Sequence, residues 1–119
     1  MIELRNLVAE KLMQIDGLEI EPQPIEDELL EKGKVYFAYS LSDEYIGNYV
    51  HLVTIFGSVV TLITEGDPLL AVDTFAESIK EKLETLNFHV SLNDVSFGRT
   101  VRVRVSGYVN YEEHNKGFI

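Results

Sequence analysis

A chain of 119 residues with a formal net charge of −10, no cysteine and no tryptophan reads as one domain, because chains of about 100–150 residues usually build a single core. Zero cysteines exclude a disulfide framework, a thiolate nucleophile and a cysteine-ligated zinc site. Twenty acidic against ten basic residues give a summed field that repels nucleic acid and anionic membranes.

The opening Met1-Ile2-Glu3-Leu4-Arg5 lacks a basic segment running into an apolar one, so a cytoplasmic protein without a signal peptide is expected. Leu4, Leu7, Val8, Leu12 and Ile15 recur at helical spacing and predict an amphipathic helix over 2–16, with Gly17 as its terminating glycine. Leu18-Glu19-Ile20-Glu21 alternates like a short strand, and Pro22 and Pro24 break it. Residues 25–32 predict one or two helical turns closed by Gly33. This stretch holds Glu26, Asp27, Glu28 and Glu31 and is the most acidic patch of the chain.

Val35-Tyr36-Phe37-Ala38-Tyr39-Ser40-Leu41 is rich in strand formers. Ser42-Asp43-Glu44 through Gly47-Asn48 reads as a turn, and residues 49–56 as the next strand. Gly57-Ser58, between Ile55-Phe56 and Val59-Val60, has the form of a two-residue hairpin turn with 59–64 returning; a bulge in one long strand is the competing reading. The low-charge stretch 46–64 contains Asn48, His51 and Ser58 and suits strands better than a membrane helix.

Asp67-Pro68 is an N-cap followed by a first-turn proline. Leu69, Val72, Ala76, Ile79, Leu83 and Leu86 then form an apolar stripe, with Asp73, Glu77, Lys80, Glu81 and Glu84 opposite; such a stripe packs on a sheet. Asn87 serves as the C-cap. Residues 88–92 predict a short strand, Asn93-Asp94 a turn, and 96–111 a final strand or hairpin with a bulge at Gly107. Val101, Val103 and Val105 alternate there with Arg102, Arg104 and Ser106, so one side packs and the other meets water or a partner. Residues 112–119 read as a tail, part of a possible flexible segment over 111–119. The expected fold is a single α+β domain over 1–119: an antiparallel sheet of about four to six strands, with an N-terminal helix and one long amphipathic helix on one face.

Charge is uneven along the chain: −7 over residues 1–31, −5 over 32–96 and +2 over 97–119. A domain polarised in this way can dock head to tail, with Glu26, Asp27, Glu28 and Glu31 meeting Arg102 and Arg104, and Tyr108 adding aromatic area beside the arginines. The plainer reading makes the acidic helices solvated faces and pairs the arginines with carboxylates on a neighbouring strand. Catalytic parts are few. His51, His89 and His114 show no HxH or HExxH spacing, and no GxSxG, GxxxxGK[ST] or GxGxxG motif occurs. Glu65 and Asp67 form a carboxylate pair that turn and cap duties explain. No catalytic residue, metal or cofactor is expected, and the arginine and tyrosine strip lacks an RNA-binding glycine-aromatic motif.

The landmarks at residues 4–15, 22–24, 35–39, 49–55, 69–86 and 100–111 resemble, in layout, the tail-terminator and tail-completion proteins of long-tailed bacteriophages and prophages, which are minor structural, head-tail joining proteins. The segment 57–64 departs from that layout, in which a shorter connection precedes the helix. The resemblance implies a non-enzymatic virion subunit forming a homo-oligomeric ring, usually a hexamer, at the head-proximal end of the tail tube. Its partners would be copies of itself, the tail tube and head-connector proteins, and it would be cytoplasmic during assembly and in the virion tail thereafter. An acidic inhibitor or DNA mimic that binds a nucleic-acid-binding protein is the main rival expectation, motivated by the acidic front segment. A small α+β enzyme is the third.

Overall fold

Alternation of apolar and polar residues carries most of the architecture. The computed structural model describes residues 2–21, 26–46, 50–63 and 66–110. Along the chain these form α1 (Ile2–Met13), β1 (Leu18–Glu21), a 3-10 turn (Asp27–Leu29), β2 (Val35–Ile46), β3 (Val50–Leu62), α2 (Pro68–Glu84), β4 (His89–Phe97) and β5 (Thr100–Asn110). The five strands make one sheet in the order β1-β2-β3-β5-β4. β1 pairs parallel with β2, and the other three pairs are antiparallel. The fold is α+β, with a mixed rather than wholly antiparallel sheet. A parallel pair needs a connection longer than a hairpin, which residues 22–34 supply.

Both helices cover one face of the sheet. Leu4, Val8 and Leu12 of α1 and Val72, Ala76, Ile79 and Leu83 of α2 are fully buried, in one cluster with Phe37, Ile55, Val59, Val101, Val103 and Val105. Val72, Ala76, Ile79, Leu83 and Leu86 are the core stripe read from the spacing, whereas Leu69, expected to begin it, is exposed in the first turn. Asp67 Oδ1 accepts the Leu70 backbone N–H at 3.1 Å, and Pro68 occupies the first turn, where a missing N–H costs nothing. Beyond α2, Thr85 is the C-cap, and Asn87 takes the left-handed conformation (φ 67°) that turns the chain into β4. α1 ends at Met13, short of residue 16, and Gly17 (φ 82°) makes the reversal into β1.

Several expected breaks in the sheet do not occur. Gly57-Ser58 is neither a turn nor a bulge: β3 runs through it in continuous register, Tyr39 opposite Gly57 on one side and Val105 on the other. The glycine answers to packing. A Cβ on Gly57 would stand 2.6 Å from Phe37 Cε2 and 2.7 Å from the Ala38 carbonyl oxygen, so this is a close-approach glycine within a strand. Ser42, Asp43 and Glu44 are not a turn either; they continue β2, paired with Thr54, Val53 and Leu52. The expected turn at Gly47-Asn48 lies outside the described residues, as do Pro22, Pro24, Ile25, Glu65 and the tail over 111–119.

The bulge sits elsewhere. Gly107 is in regular register with Ile55 and Val90. The register slips instead between Asn93 and Ser96 of β4, where Asp94 has φ 52°, a conformation Asp tolerates better than most residues. Asn93-Asp94 is thus an irregularity inside β4, and the reversal to β5 comes at Gly98-Arg99.

Candidate functional site

α1 and α2 both lie on one side of the sheet, and neither covers the other side. Strand register assigns its side chains in rows. One row runs Tyr36, Val60, Arg102 and Ser96; the next Ala38, Ser58, Arg104 and Asn93; the third Ser40, Phe56, Ser106 and Ser91. A fourth brings Tyr108 beside Thr54 and His89. Of the seven residues expected at a docking surface, Arg102, Arg104 and Tyr108 share this open face.

Small side chains make the middle of the face a floor. Ala38, Ser40, Ser58, Phe56, Arg102 and Arg104 line a shallow groove of about 310 Å³. Phe56, flanked across the strands by Ser40 and Ser106, has no large neighbour in its row and stays 54% exposed. Tyr108 is 51% exposed and stacks on His89 with ring centroids 5.0 Å apart and planes 28° from parallel. Arg104 Nη1 lies 3.4 Å from Asp94 Oδ2, both side chains more than half exposed. An exposed pair of this kind contributes about 0–1 kcal/mol and can be exchanged for another carboxylate at little cost. The β4 bulge is what brings Asp94 to Arg104.

The acidic segment lies beside this face and not at the far end of the molecule. Leu30 is buried against Tyr36 and Val60, and the Glu31 backbone N–H donates to Tyr36 Oη at 3.0 Å. The Tyr36 row continues to Arg102. Glu26, Glu28 and Glu31 are exposed along this border, and Asp27 begins the 3-10 turn. Glu31 Oε2 stands 3.0 Å from Lys34 Nζ; its hydrogen bond and charge hold that ammonium above its ordinary range. Acid and base are neighbours on one side of the chain, an arrangement that linear charge counting did not reveal.

On the opposite surface, Asp73, Glu77, Glu81 and Glu84 point outward from α2, away from the buried stripe. Leu70 is in the same outward stripe and is 61% exposed. Sequence reasoning placed these acids on the solvent side of the helix without giving them a role. It missed Phe56 altogether, because a turn at Gly57 hides the alternation Thr54, Phe56, Ser58 and Val60 that runs straight through it.

The two described histidines lie on different strands. His51 is buried in β3 opposite Tyr45, His89 is exposed on β4, and His114 lies outside the described residues. Among the described residues, no group of three His, Asp or Glu side chains is placed to hold a metal ion, and no helix is long and apolar enough to cross a membrane. Asp67 is used as a helix cap. No protein-family model matches the chain, and no curated protein matches it.

Proposed function

We propose that this protein is a non-enzymatic structural subunit that works through protein interfaces, of the tail-terminator or tail-completion kind that it resembles in layout. The observation that supports this most is the sheet face opposite α1 and α2. A two-layer domain leaves one sheet face to water or to a partner, and here that face presents Phe56, Tyr108 and two arginines around a floor of small residues. Aromatic and arginine side chains are enriched where interfaces carry binding energy. In this reading copies associate into a ring at the end of a tail tube, and the open face is one of the docking surfaces. Light scattering coupled to size exclusion, with electron microscopy of the leading peak, tests it. Closed rings of uniform size support the reading, whereas a strict monomer at millimolar concentration opposes it.

A second reading, the acidic inhibitor or nucleic-acid mimic, draws on the outward acidic stripe of α2. Regularly spaced carboxylates on a rigid helix can stand in for phosphates against a basic partner. A monomer that displaces DNA from a basic nucleic-acid-binding protein would favour it.

A further inference from the structure

We infer that the open sheet face of one copy receives the outer face of α2 from a second copy. The inference rests on the reading of the open face as a docking surface and names its occupant. Two facts of placement lead to it. Arg102 and Arg104 lie on the sheet face opposite α1 and α2, and Glu77 and Glu81 lie on the exposed surface of the helix layer, so the two surfaces are on opposite sides of the molecule. An acceptor and a donor surface on opposite sides define a head-to-tail contact, which closes into a ring when the rotation between copies permits.

The spacing also agrees. Glu77 and Glu81 are about 6 Å apart along the helix axis, four residues at the helical rise. Arg102 and Arg104 are about 7 Å apart along their strand, two residues at the strand rise. Both carboxylates can therefore reach the two arginines at once, Arg104 exchanging its exposed pair with Asp94 for one across the contact. The small residues of the groove floor, Ala38, Ser40 and Ser58, allow a helix to approach closely, while exposed Leu70 and Phe56 offer apolar area at the contact. The acidic segment at Glu26, Glu28 and Glu31 is a poorer counterpart, because it borders the arginine face itself and would turn the same side of two copies toward each other.

Each copy carries −10 overall, so like charge opposes association at long range. Screening over about 8 Å at physiological salt removes most of the repulsion between whole domains. Contacts at ion-pair distance are screened much less, so the local complementarity decides.

Sedimentation velocity over a concentration series tests this on wild type, R102E/R104E and E77K/E81K, with circular dichroism confirming that each variant is folded. Each variant alone is expected to self-associate at least about tenfold more weakly, since two attractive pairs become repulsive. An equimolar mixture of the two variants regains association, because each then offers a surface complementary to the other. E77Q/E81Q, which removes charge without reversing it, gives intermediate weakening. Association of E77K/E81K at wild-type strength, with R102E/R104E impaired, overturns the α2 assignment and leaves the open face as a docking surface. Wild-type association by R102E/R104E overturns both. A mixture that fails to associate, or a wild type that stays monomeric at millimolar concentration, overturns the inference as well.

Discussion

The ring of Phe37 occupies the space that a side chain at Gly57 would need. A Cβ there would lie 2.6 Å from Phe37 Cε2 and 2.8 Å from Cζ, with the Ala38 carbonyl oxygen at 2.7 Å. Two of these are ring atoms and one is backbone, so relief would require both the ring and the strand to move. Phe37 is fully buried and stacks on Tyr39 at 5.3 Å, which leaves the ring little room.

Gly57→Ala is accordingly expected to destabilise the fold by about 1–3 kcal/mol, the range for overpacking a closed core. The comparison is Gly107→Ala, whose Cβ would find its nearest neighbours at 3.1 Å (Ile55 Cγ2) and 3.2 Å (His89 O). Urea unfolding of the two variants should rank Gly57→Ala clearly below Gly107→Ala. Equal stability of Gly57→Ala and wild type would show that Phe37 does not need the glycine.

Much of the fold was legible because single residues dominate local energetics. Asp67-Pro68 announces the start of α2 through a cap and a fixed φ, and the Val72, Ala76, Ile79 and Leu83 stripe announces its buried side. Val101, Val103 and Val105 likewise disclose which side of β5 is core. The sheet's interior was less legible at Gly57, since a glycine needed for a neighbouring ring looks the same in sequence as a glycine needed for a turn. Reading a turn there halves β3 and conceals the open face, because Phe56 and Ser58 join Arg102 and Arg104 only when β3 is continuous. The bulge falls at Asp94, expected in a turn, and not at Gly107 for a related reason: a bulge is set by the register of the partner strand, which local sequence does not specify. The acidic segment was correctly seen as acidic, but its place beside Tyr36 and Val60 depends on the parallel β1-β2 connection.

Tyr39 gives a prediction in pH. Burial raises its phenol pKa above the ordinary value of 10.0, and the nearby Arg5 charge partly opposes the shift. The folded state then holds this proton more tightly than the unfolded chain does. That contribution to stability is complete below the unfolded-chain pKa and is lost as pH rises through it toward the folded value. Tyr39→Phe keeps the ring and removes the proton. The stability difference between wild type and Tyr39→Phe should therefore be constant below about pH 9 and shift against wild type above about pH 10. A difference that stays flat across the alkaline range would contradict the burial of the phenol.

The chain's lack of cysteine makes possible the measurement that bears most directly on the open face as the docking surface. A single thiol introduced by Ser40→Cys lies on that face, in the row with Phe56, and one introduced by Glu10→Cys lies on the exposed surface of α1. Thiol labelling rates are compared between dilute protein and the associated form isolated by size exclusion. The account predicts that association slows labelling at Ser40→Cys by at least about tenfold, the signature of a buried interface position, while Glu10→Cys reacts at an unchanged rate. Equal labelling of Ser40→Cys in the dilute and associated forms would contradict it.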